Sequence, residues 1–167
     1  KARGNSTFTY YDKKAYQIKL EDKTDLLDTG EKGKTWVLLA NYADATGMHD
    51  KFFKDLATQM QMDYTAQTGW VNLYYDGEYR GLYELSEKNS VGGTSIDVTD
   101  MEEAYENLNP TYGDDMETKT GTNAYGQTIQ FTAGLKDPAD ITGGYLIELN
   151  HDYWDEANGF ATRKGVA

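Results

Sequence analysis

The sequence predicts an α+β chain, built on a mainly antiparallel sheet with one principal helix. Three observations predict it. Short β-prone runs recur along the chain, a tight-turn dipeptide separates two of them, and one stretch has long helical periodicity. With 167 residues the chain is one domain or a piece of one, long enough to bury a core. Three Trp, five Phe and fourteen Tyr supply bulky packing material, and their structured spacing argues for a folded chain.

The elements follow in order. Ser6-Thr7-Phe8-Thr9-Tyr10-Tyr11 is β-prone, and Tyr16-Gln17-Ile18-Lys19-Leu20 alternates apolar with polar, so 1–20 reads as two strands joined by a loop that carries Lys13-Lys14. Residues 21–35 are polar and contain Gly, the composition of a surface loop. The apolar run Trp36–Ala40 is too short to separate a buried strand from a helical turn. From Thr46 to about Met62 the spacing predicts a helix. Met48, Phe52, Phe53, Leu56 and Met60 share one face, and Lys51, Lys54, Asp55 and Gln59 lie mostly on the other.

The hairpin signal is the clearest. Trp70–Tyr75 and Arg80–Leu85 are strand-like, and Asp76-Gly77 between them favours a turn with positive φ. Large residues stand on both faces, which predicts a sheet partly covered on both sides. Beyond it, Val98–Leu108 reads as a short acidic helix, Pro110–Gly126 as a mobile polar loop, and Gly144–Leu149 and Gly159–Arg163 as strands.

Composition excludes several classes. There is no Cys, so disulfides and thiolate metal sites are out. No apolar run approaches the ~18 residues of a membrane span, and no signal-peptide pattern stands at Lys1-Ala2-Arg3. The chain begins without Met, so it reads as processed or as part of a longer protein. The formal charge of −12 is unevenly placed. Residues 1–88 carry 12 basic against 14 acidic side chains, and residues 89–167 carry 4 against 14. A broad nucleic-acid face is therefore not expected, and a small anion fits best in the first half.

Several separated motifs, in order, resemble the spore-coat protein H (CotH) kinase family. They are Arg3-Gly4-Asn5-Ser6-Thr7, the segment Lys13-Lys14-Ala15-Tyr16-Gln17-Ile18-Lys19, and Trp36–Asp44 leading into the helix. The hairpin Val71–Lys88 and Gly143-Gly144-Tyr145-Leu146-Ile147-Glu148 complete the set. The resemblance implies an atypical protein-kinase-like fold and ATP-dependent phosphorylation of Ser in a protein substrate, with Mg or Mn. It also implies a bacterial protein secreted or at the cell surface, with the spore coat as one location. On this reading residues 1–167 are the N-terminal portion of the kinase domain. The family's catalytic Asp and its Trp-Asp-x-Asp segment would follow Ala167, and the chain alone would be inactive. Trp154-Asp155 directly follows the Gly-Gly-Tyr strand and is not that segment. One departure stands inside the chain. Where the family usually carries Ser and then Arg-Asn after the Asp, this chain has Ala45-Thr46-Gly47-Met48-His49-Asp50.

Within that resemblance Arg3 and Lys14 are the expected phosphate contacts, since phosphoryl transfer needs cations around the phosphates. Taken alone, Lys13-Lys14 reads as an exposed basic strand end. Glu87, at the close of the hairpin, is the carboxylate expected to orient Lys14, with Glu84 the weaker choice. Asp44 either caps the helix, directly or through Thr46, or faces the ligand. His49 stands where Arg is expected and donates to phosphate only when protonated. Asp114-Asp115 and His151-Asp152 lack a spaced third ligand and read as loop carboxylates. Two rival readings remain, a non-catalytic scaffold module of a plant-cell-wall-degrading, cellulosome-like system and a structural spore-coat protein. A chain cut at a strand would also expose an edge for homodimerisation.

Overall fold

The structure is a computed structural model that describes residues 1–92, 95–111, 114–122, 126–142 and 144–147. The chain divides into two compact units, Lys1–Asp97 and Val98–Ala167. The first carries β1 (Ala2–Arg3), α1 (Ser6–Tyr10), β2 (Ala15–Thr24), β3 (Gly33–Leu39), α2 (His49–Gln59), β4 (Thr68–Tyr75) and β5 (Glu78–Glu87). Its strands form one antiparallel sheet in the order β1-β2-β3-β5-β4. The fold is therefore α+β and mainly antiparallel, as the sequence predicts.

Register explains where the core lies. Trp36 pairs with Ile18 and Glu87, and Leu38 pairs with Tyr16 and Leu85. One face thus collects Trp36, Leu38, Tyr83 and Leu85 as a buried cluster, and Tyr16, Leu20, Leu27, Val71 and Leu73 pack against it. The polar tips of the large rings are satisfied. Trp36 Nε1 donates to the Gly33 carbonyl at 3.1 Å, and the Tyr83 hydroxyl donates to the Lys14 carbonyl at 2.9 Å. In β5 every residue from Tyr83 to Glu87 is buried, so this strand is covered on both faces. The turn is as expected. Asp76 and Gly77 take φ of 52° and 76°, the left-handed pair that suits the twist of a hairpin.

Five expectations are corrected. Ser6–Tyr11 is not a strand: Ser6–Tyr10 forms helix α1, because Gly4 at φ 98° ends β1 and the Asn5 carbonyl accepts from the N–H groups of Phe8 and Thr9. The supposed loop 21–35 is partly sheet. β2 continues to Thr24 through a register shift after Lys19, and β3 already starts at Gly33. Its polar composition reflects a ribbon exposed beyond the core. Helix α2 is shorter than 46–62 and turns the unexpected side inward. Phe52 and Phe53 are 57% and 64% exposed, and no α2 residue is buried among the described residues. Lys54 faces the sheet instead.

The second unit carries α3 (Met101–Leu108), β6 (Met116–Thr122) and β7 (Thr128–Gly134). Asp100 caps α3 by accepting from the Glu103 N–H at 3.0 Å. β6 and β7 form an antiparallel hairpin. That is the fourth correction, since 110–126 reads in sequence as a mobile loop. Alternating Thr gives the segment β-propensity without an apolar face to signal it. Buried Asn109 joins helix and hairpin. Its amide donates to the carbonyls of Tyr105 and Lys136, and its Oδ1 accepts from the Lys136 N–H. Residues 144–147 carry no strand, the fifth correction; 148–149, Gly159–Arg163, His151-Asp152 and Trp154-Asp155 lie outside the described residues.

Trp36 has no exposed surface, so truncating it leaves a cavity at the centre of the sheet. Trp36→Ala is expected to lower the unfolding free energy by about 3–5 kcal/mol in urea denaturation. A loss under about 1 kcal/mol would contradict this account of the core.

Candidate functional site

A cleft of about 320 Å³ lies where β1 and α1 meet the segment after β3. Arg3, Thr7, Lys13, Ala40, Asn41 and Asp44 are among the residues that line it. Gly4 bends the chain there. A Cβ on it would fall 2.2 Å from the Thr7 hydroxyl, so only glycine lets α1 fold back at this point. Antiparallel pairing of Arg3 with Ala15 then brings the Arg3 side chain beside the segment that carries Lys13.

The two cations of the cleft differ. The Arg3 guanidinium has no hydrogen-bond or ion-pair partner among the described residues. Lys13 is tethered: Nζ donates to the carbonyls of Ala40 at 2.9 Å and Leu82 at 2.6 Å. It also stands 4.4 Å over the Tyr83 ring, a cation–π contact. Burial pulls its pKa below the usual lysine range. An ammonium has three donors, so one N–H of Lys13 remains for a ligand after the two carbonyls.

The sequence-predicted residues divide. Arg3 and Asp44 line the cleft; Lys14, Glu87 and His49 do not. Lys14 donates to the carbonyls of Phe8 and Tyr11, both at 2.6 Å, and lies 5.0 Å from the Phe8 ring. It closes the C-terminal end of α1. Glu87 is buried at the far end of β5, where Gln67 Nε2 approaches Oε2 at 3.4 Å. It lies four residues beyond Tyr83, the residue whose hydroxyl reaches Lys14. At ordinary strand rise that is about 13 Å. The expected Lys14–Glu87 pair is therefore not formed.

Asp44 holds the entry to α2. Oδ1 accepts from the Thr46 N–H at 2.9 Å and the Thr46 hydroxyl at 2.7 Å, and Oδ2 accepts from the His49 N–H at 2.8 Å. The Thr46 hydroxyl in turn accepts from the Met48 N–H at 3.2 Å. Both capping routes expected from sequence are present, direct and through Thr46. These donors, the His49 N–H first, push the Asp44 pKa down to about 2. The His49 ring is 73% exposed, with Nδ1 3.1 Å from the same carboxylate.

Sequence reasoning ranked two groups below the wrong neighbour. Lys13 is the cleft lysine, and strand parity was the available signal, because buried Ala15 two residues on lines the same cleft. Glu84, the weaker choice in sequence, is the buried ion-paired carboxylate. It meets Lys54 Nζ at 3.5 Å, the Thr68 hydroxyl at 2.7 Å and Asn41 Nδ2 at 2.8 Å. No group of three or more His, Asp or Glu side chains able to hold a metal occurs among the described residues. No helix there is long and apolar enough to cross a membrane.

The depressed Asp44 pKa fixes a pH dependence. Its stabilising contribution is present above the ordinary value of 3.8 and is lost as pH falls through about 2. Asp44→Asn is expected to lower the urea midpoint near neutral pH, and the gap to wild type should close as pH drops from about 4 to about 2. A gap unchanged with pH would show that the carboxylate charge does not serve the helix start.

The motifs of the sequence fall on this geometry. Arg3-Gly4-Asn5-Ser6-Thr7 builds one wall of the cleft, Lys13-Lys14 enters β2, and the segment after Trp36–Leu39 forms the opposite wall. Comparison with curated proteins and with solved structures finds no match to the chain. The family model described as CotH kinase protein matches residues 1–123, well over half of the chain and all of the cleft. This chain belongs to the CotH kinase protein family.

Proposed function

We propose that this chain is the nucleotide-binding part of a CotH-type atypical protein kinase, and that Arg3 and Lys13 hold the phosphates of ATP. The observation that carries this reading is the pair itself. An unpartnered guanidinium and a desolvated, tethered ammonium line one cleft of small-molecule size. Arg offers a planar fork for phosphate oxygens and Lys a point charge on a fixed tether. Asp44 lines the same cleft, and its carboxylate oxygens are engaged by the Thr46 and His49 donors.

The placing of α2 supports the same reading. It falls between β3 and β4 and is tied to the sheet by the Lys54–Glu84 pair. Protein kinases use a Lys–Glu pair between sheet and helix to set their phosphate-binding parts. Here the acid is on the strand and the base on the helix. The Mg or Mn expected for phosphoryl transfer does not find a donor set among the described residues, so no transfer step is assigned to them. Family membership suggests Ser in a protein as the acceptor, and a place outside the cell or in the spore coat.

Calorimetry with ATP tests the proposal. Arg3→Ala is expected to weaken binding about tenfold or more, the loss of a charge-assisted phosphate contact. Lys14→Ala should leave the affinity unchanged and lower the melting temperature, because Lys14 serves α1 and not the cleft. Equal affinity in Arg3→Ala and wild type would refute the assignment.

A further inference from the structure

Glu84 has no exposed surface, yet it is a carboxylate in the middle of a sheet. Such a group persists only when donors replace the water it has lost. Three elements supply them. Thr68 comes from β4, Lys54 from α2, and Asn41 from the turn that follows β3. Lys54 Nζ also reaches the Ser86 hydroxyl at 3.0 Å and Asp50 at 2.5 Å, so it is shared between α2 and the sheet.

Asn41 is the unusual member. Its backbone is left-handed at φ 47°, and its Nδ2 donates both to Glu84 Oε2 at 2.8 Å and to the Gly47 carbonyl at 3.2 Å. The peptide unit joining Ala40 to Asn41 is planar, so the Ala40 carbonyl and the Asn41 nitrogen and Cα move as one rigid group. That carbonyl accepts from Lys13 Nζ at 2.9 Å. A continuous physical path therefore runs from Lys54 to Glu84, to the Asn41 amide, across one peptide plane and on to the cleft lysine.

We infer that Glu84 is a positioning residue for Lys13: the buried carboxylate fixes Asn41, and Asn41 aims the Ala40 carbonyl, which with the Leu82 carbonyl holds the ammonium in the cleft. Glu84 itself does not line the cleft. Through Lys54, the placing of α2 against the sheet is transmitted to the cleft. The inference rests on the reading of the cleft as a nucleotide site for its purpose, but the positioning of Lys13 has a readout that needs no nucleotide.

That readout is the rate at which an N-hydroxysuccinimide ester acylates Lys13, measured by mass spectrometry against exposed Lys23 as internal reference. Glu84→Gln keeps the volume and removes the charge. Asn41→Gly keeps the left-handed backbone and removes the amide. Each is expected to raise Lys13 acylation about fivefold in folded protein, and the double variant should exceed neither single by much, since both cut one path. Lys54→Arg, which keeps the ion pair, should stay near wild type. ATP affinity should fall about tenfold in Glu84→Gln. Folded Glu84→Gln with wild-type Lys13 acylation would overturn the inference. Should Glu84→Gln fail to fold, Asn41→Gly with wild-type acylation overturns it equally. Faster acylation in a protein that binds no ATP would instead sustain the positioning of Lys13 and remove the nucleotide reading.

Discussion

A carboxylate shut away from water organises the first unit of this chain. Glu84 occupies a register position where the neighbouring β5 residues are all buried, so the protein must supply every hydrogen bond that solvent would have given. The donors come from β4, α2 and the turn after β3, three segments distant in sequence. Removing one partner of such a group costs far more than the pair contributes, because the other is left uncompensated. The interaction therefore specifies an arrangement more than it adds stability.

The inverted helix α2 follows from the same constraint. Its apolar stripe is the feature a periodicity argument assigns to the core, and Phe52 and Phe53 nonetheless lie mostly exposed. The side facing the sheet carries Lys54, because the sheet there presents Glu84 and Ser86 instead of an apolar surface. A helix is oriented by what its neighbour needs, and a buried acid needs a cation more than an aliphatic face needs cover. Asp44 completes the arrangement by satisfying the first N–H of the helix, which fixes where α2 starts relative to the cleft wall.

Much of the fold was legible from local chemistry. Asp76-Gly77 announced the hairpin because few other dipeptides adopt two left-handed residues without strain, and Trp36–Ala40 announced a buried segment because its residues are bulky and apolar. The antiparallel class follows from short strands joined by short connections. The ribbon at Thr24 and Gly33 and strand β6 were not legible, because polar strands without an apolar face leave no period-two hydrophobic trace. Helix α1 was hidden for a related reason. Thr, Phe and Tyr favour strands on average, and the local turn at Gly4 and Asn5 outweighs that average.

By itself the sequence determined the family and the antiparallel class, since both depend on residue identity and order along the chain. Tertiary structure alone decided that Lys13 and not Lys14 turns into the cleft, and that Glu84 and not Glu87 carries the buried pair. In each case the rivals differ by one or three positions and share the same chemistry. What separates them is which side of the sheet each Cβ projects from and how far along the strand it stands, and both follow from pairing between distant segments.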